Sequence, residues 1–230
     1  MAEKVPAARV ATRREPKPSG LPRRPLILAT VLTALAGFLD AAGYVELNHL
    51  YVSFMSGNST HLGMSLPTGN LADIFGILAI VGAFVAGACG GTWISDHGGA
   101  NAVVLNIGGE VLLLFSALVL SSISLPHIAL FLVAAAMGMQ NSLHQIVAGA
   151  DVGRGFITGV LFSLGQSLAR MKNGDGQGRR ALSSLFSWSA FVLGAVAGAF
   201  SLSYVGLVAC LGMAVTVAVV VMICLQLRLL

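Results

Sequence analysis

Charge is scarce in this chain. Asp, Glu, Lys and Arg together make up 10% of its 230 residues, where a soluble domain carries about 25%. Hydrophobic residues make up 56%, and the mean hydropathy is +0.87. That balance excludes a soluble enzyme, a nucleic-acid-binding domain and a disordered protein. Cysteine is scarce too. Cys89, Cys210 and Cys224 lie apart in apolar runs, none with a histidine nearby. They read as small packing residues, so neither a disulfide framework nor a metal site is expected. No phosphate loop, catalytic serine motif or H-E-x-x-H pattern occurs. The expectation is a protein that is not an enzyme and holds no cofactor.

The net charge of +4 hides an uneven distribution. Residues 1–24 hold Lys4, Arg9, Arg13, Arg14, Lys17, Arg23 and Arg24 against Glu3 and Glu15. The rest carries six basic and seven acidic groups. The basicity belongs to a tail, which is no argument for nucleic acid. With Pro6, Pro16, Pro18 and Pro22 in it, the tail reads as disordered and cytoplasmic. Arg23-Arg24 and the apolar run to Ala34-Leu35-Ala36 look like a signal peptide. The segment is read as a retained span, because it belongs to a repeat described below.

What the chain has is apolar length. A helix needs about 20 apolar residues to cross the hydrocarbon. Six segments reach that, at 26–47, 73–95, 102–122, 127–149, 182–202 and 204–226. Two shorter, more polar ones lie at 51–66 and 154–170. The first is too polar to face lipid, so it is a short helix inside the bundle or a re-entrant one. The expected fold is therefore an all-α polytopic membrane domain over 25–230. Basic residues flank the first span, fill the loop with Arg170, Lys172, Arg179 and Arg180, and return at Arg228. All three sites should be cytoplasmic. Six spans plus two re-entrant helices satisfy this, and so do eight spans. Length and polarity favour six plus two.

The chain also repeats itself. Gly37-Phe-Leu-Asp40-Ala41 aligns with Gly138-Met-Gln-Asn141-Ser142 at an offset of 101, and Phe54-Met-Ser56-Gly57 with Phe156-Ile-Thr158-Gly159 at 102. Val85-Ala-Gly-Ala88 matches Val196-Ala-Gly-Ala199 at 111, with the polar loop at 171–180 absorbing the difference. The ordered series points to a duplication with halves at 26–122 and 127–226. With three full spans per half the copies would be inverted, a recurring transporter design.

Ionisable and polar groups at membrane depth are costly and point to function. Asp40 sits mid-helix among Gly37, Ala41, Ala42 and Gly43. It is either a proton-binding carboxyl or a structural one bonded across the bundle. Its repeat mate, Asn141, cannot titrate. Ser56, Gly57, Asn58, Thr60 and His61 form a second group, where glycine permits a helix break and the polar groups can hold a solute or cap freed backbone. Thr158 and Gly159 are their counterparts. Gln140, Asn141, His144 and Gln145 form a third group, of which 141, 144 and 145 share a helix face. Glu110 either pairs with His144 or lies near the interface. Glu46, His49, Asp73, Asp96, His97 and Asp151 read as solvated segment ends. Gly87 with Gly91, and Gly194 with Gly198, form G-x-x-x-G pairs, seams for packing within the chain or in a homodimer.

The stretches Gly37-Phe-Leu-Asp-Ala-Ala-Gly-Tyr44 and Phe54-Met-Ser-Gly-Asn-Ser-Thr60, then Ala136-Met-Gly-Met-Gln-Asn141 and Ile157-Thr-Gly159, resemble the signatures of the YoaK, or DUF1275, family of bacterial membrane proteins. The resemblance covers most of 26–226. It implies a small permease-like protein of the inner membrane, of unestablished substrate. Ser56 stands where many relatives have threonine, and the basic tail lies outside the resemblance. The expectation is a secondary transporter of a small polar solute, coupled to protons through Asp40. The rivals are a passive channel and a non-transporting partner protein.

Overall fold

The apolar runs fold as helices throughout. The computed structural model describes residues 23–148, 157–171, 176–227 and 229, without the side chains of 23–25 and 144–148. The elements are α1 (Arg23–Glu46), α2 (Met55–Ser65), α3 (Leu71–His97), a 3-10 turn (Gly99–Asn101), α4 (Ala102–Ser122), α5 (Pro126–Ala148), α6 (Ile157–Ala169) and α7 (Gln177–Gln226). Most of the expected tail lies outside the described residues. Arg23 and Arg24 do not belong to it, because they open α1.

Helix ends follow local chemistry. Asn70 caps α3, exchanging hydrogen bonds with Asp73 at 3.5 and 2.6 Å, which satisfies an otherwise orphaned first-turn amide. Pro126 opens α5, where its missing N–H costs nothing. Gln177–Arg180, expected in a polar loop, form the first turn of α7. α7 has 50 residues, about 75 Å of helix against about 30 Å of hydrocarbon. It breaks at Gly206, whose φ of 78° and ψ of 174° suit only glycine. The two arms, 177–205 and 207–226, correspond to the last two expected spans.

Leu26–Glu46, Leu71–His97, Gly99–Ser122 and Gln177–Gln226 are long and apolar enough to cross a membrane. α5 is as long but carries Gln140, Asn141 and Ser142. It can do so because it is the central helix, with Ala129, Val133, Ala134 and Ala136 completely buried.

Glycine seams join the long helices. A side chain at Gly37 would strike the Phe191 carbonyl of α7, and one at Gly194 or Gly198 the carbonyls of Ala34 or Phe38 in α1. The same contacts recur between α5 and α3. Gly138 faces Phe84 and Ala88, Gly87 faces Ala135, and Gly91 faces Met139. These glycines are therefore packed within the chain. The matching contacts are offset by 101 between α1 and α5 and by 107 between α3 and α7, where the sequence match of Val85 with Val196 is offset by 111. Such Val-Ala-Gly letters recur along membrane helices, and only the contacts they make tell the register.

The ends of the bundle are distinct. Leu28 and Leu32 of α1, Ile107 of α4, Leu143 of α5 and Val221 of α7 cluster at one end. Towards the other, Leu47–Leu50 after α1 share a cavity with Ala72–Ile80 of α3 and with His127 and Phe131 of α5.

Candidate functional site

Between α1 and α2 the backbone leaves the helix and packs back against α1, where a buried amide needs a partner. Two side chains supply them. Asp40, 3% exposed, accepts from the Val52 and Ser53 amides through Oδ1, at 2.9 and 2.7 Å, and from the Ser53 hydroxyl through Oδ2. Asn58, completely buried, grips Tyr51 at two points. Its Oδ1 accepts from the Tyr51 amide at 2.9 Å and its Nδ2 donates to the Tyr51 carbonyl at 2.7 Å. Gly57 does not break α2. It leaves room for the Tyr51 and Phe54 rings, which meet edge to face at 5.2 Å.

The loop so held walls a cavity of about 300 Å³. Thr33, Ala36 and Asp40 of α1, Met137, Gln140 and Asn141 of α5, Ile157 and Thr158 of α6 and Phe191 of α7 complete it with Tyr51, Ser53 and Phe54. Gln140 donates to the Leu32 carbonyl at 2.8 Å and Asn141 to the Met137 carbonyl at 3.0 Å. No basic residue among the described side chains lines the cavity, and its polar groups offer both donors and acceptors.

Of the residues expected at the site, Asp40, Gln140, Asn141 and Thr158 come together here. Ser56 and Thr60 do not. Both are exposed on α2, where the Thr60 hydroxyl bonds the Ser56 carbonyl, as hydroxyls on a helix often do. Gly57, Asn58 and Gly159 are also off the cavity wall, Asn58 acting through Tyr51. The His144 side chain lies outside the described residues. Thr33, Tyr51 and Ser53 were missed. Ser53 lies thirteen residues from Asp40, and sequence periodicity carries no signal for a partner across a loop.

His61 lines the second cavity, of about 480 Å³, with His49, Asp73 and His127. His49 and Asp73, expected to be merely solvated, thus share one basin.

The family described as "Protein of unknown function (DUF1275)" matches residues 28–224. The UPF0700 transmembrane protein RA0705 of Rhizobium meliloti (strain 1021) is 31% identical over 174 residues, 76% of this chain and 74% of its own. The UPF0700 transmembrane protein YoaK of Bacillus subtilis (strain 168) is 26% identical over 144 residues, 60% of this chain and 64% of its own. No solved structure matches significantly.

Proposed function

This chain belongs to the DUF1275 family of transmembrane proteins, and from its geometry we propose that it is a permease for a small polar solute. One observation carries the reading: the cavity of about 300 Å³ lies half-way along α1, at the low end of small-molecule sites in size. Seven of its twelve described lining residues carry hydrogen-bonding side chains, a carboxyl among them. In this reading Asp40 holds the loop and contributes to the wall. Its oxygens are already engaged, which argues against the proton-coupling role expected of it.

The topology proposed is six crossings with α2 and α6 re-entrant, in two duplicated, inverted halves. The end of α1 and the starts of α3 and α5 share one cavity, so α2 returns to the face it left. The recurring glycine contacts support the inversion. With Arg170, Arg179 and Arg180 at the opposite end, both termini are cytoplasmic in a bacterial inner membrane.

The test is solute-evoked charge movement and radiolabelled uptake in proteoliposomes, across amino acids, sugars, nucleobases and small anions. Saturable uptake of one of these solutes is expected, and its loss in Thr158→Trp, which fills the cavity from an exposed position. Non-saturating flux would indicate a channel. Silence in both assays, with a stable heteromeric complex, would indicate a partner protein instead.

A further inference from the structure

We propose that Glu110 and Asn106 of α4 form a buried proton-binding site, apart from the cavity. The two residues are one helical turn apart, and both are 0% exposed. The orientation of the Asn106 amide is forced by its neighbours. Its Nδ2 donates to the Gly91 carbonyl of α3 at 3.0 Å and to the Ser142 hydroxyl of α5 at 2.9 Å. The Ser142 hydroxyl in turn donates to the Met139 carbonyl at 2.7 Å. That leaves Asn106 Oδ1 and both Glu110 oxygens without a hydrogen-bond partner among the described residues.

Three buried oxygens therefore face no donor. An ionised carboxylate in that position, with neither donor nor counter-charge, is prohibitively unstable in an apolar interior. A proton resolves the arrangement. It neutralises Glu110 and makes one carboxyl oxygen a donor, with Asn106 Oδ1 as the acceptor at the i, i−4 position of the same helix face. A metal ion suits the place less well. Three oxygens are too few for a hard cation, which takes about six to eight. Among the described residues no cluster of His, Cys, Asp and Glu could hold a metal.

No other described charge competes for the site. On the helices packed against α4, the charged and histidine side chains are exposed: Asp73, Asp96 and His97 on α3, His127 on α5, Arg179 and Arg180 on α7. On α1, Asp40 is buried but bonded to Val52 and Ser53, and Glu46 is half-buried at the helix end; Cys210 on α7 is a buried thiol. His144 of α5 lies outside the described side chains. Met139 of α5 packs its thioether on Gly109, next to Glu110 in sequence, a flexible side chain suited to admitting water and closing again. The inference stands on burial and bonding and does not require the transport reading.

The experiment is infrared difference spectroscopy of the protein in lipid nanodiscs, titrated from neutral to alkaline pH. A protonated carboxyl C=O band is expected at neutral pH, absent in Glu110→Gln and retained in Asp40→Asn. Glu110→Gln, which mimics the protonated acid, should also lose the wild type's fall in melting temperature as pH rises from the ordinary carboxyl range to the point where Glu110 ionises in the folded protein. A second variant, Asn106→Leu, keeps the acid and removes its acceptor, so the band should persist at a shifted frequency. A band surviving in Glu110→Gln, an unshifted band in Asn106→Leu, or a band abolished by sodium at constant pH would overturn the proposal.

Discussion

Removing the Asp40 carboxyl orphans three donors at once, the Val52 and Ser53 amides and the Ser53 hydroxyl. Each unsatisfied buried donor costs about 1–3 kcal/mol, so Asp40→Ala is expected to destabilise by roughly 3–5 kcal/mol. Asp40→Asn keeps an oxygen for the two amides and should cost about 1–2 kcal/mol. Melting temperatures in detergent check the order, and equal values for both variants would refute the clasp. Ser56→Ala and Thr60→Ala, at exposed positions, should stay within about 0.5 kcal/mol of wild type. The importance of Asp40 was legible in the sequence, because an acid in the middle of an apolar helix needs a reason. Its task was not, because that depends on where the next loop runs. Asn58 shows the same gap: its residue type announced a polar contact, and only the fold reveals a two-point grip on Tyr51.

At the scale of elements, the apolar runs predicted the long helices to within a few residues, and the two short segments emerged as α2 and α6. Length and hydropathy are local properties, so the sequence displays them openly. The pairing of helices is not local. Gly206→Ala puts a side chain at a φ of 78°, where only backbone strain opposes it, since nothing stands within 4 Å. A cost of roughly 1–3 kcal/mol is expected, read as a lower melting temperature. Gly194→Leu is a harsher change, because it drives a side chain into the Ala34 backbone. Monodisperse protein on size exclusion should be lost, while Gly82→Leu, at a glycine with no neighbour within 4 Å, should behave as wild type. Equal behaviour of the two would remove the seam from the account of how α1 meets α7.

For the whole molecule, the proposed division of the chain into six crossings and two re-entrant helices has a direct readout. In a cysteine-free background, Asn70→Cys and Arg179→Cys should react with a membrane-impermeant reagent from opposite sides. Reaction from the same side would require eight spans. The packing of α1 on α7 carries a further consequence, for synthesis. α1 leaves the ribosome early, but its glycine seam is met by the helix around Gly194 and Gly198, more than 150 residues later. Until then Gly37 and its neighbours have only lipid or borrowed surfaces to lie against. A chain stalled before α7 should therefore be a target for membrane quality control. Full protection from proteolysis should arrive abruptly, when the nascent chain passes the second seam, and not in proportion to its length.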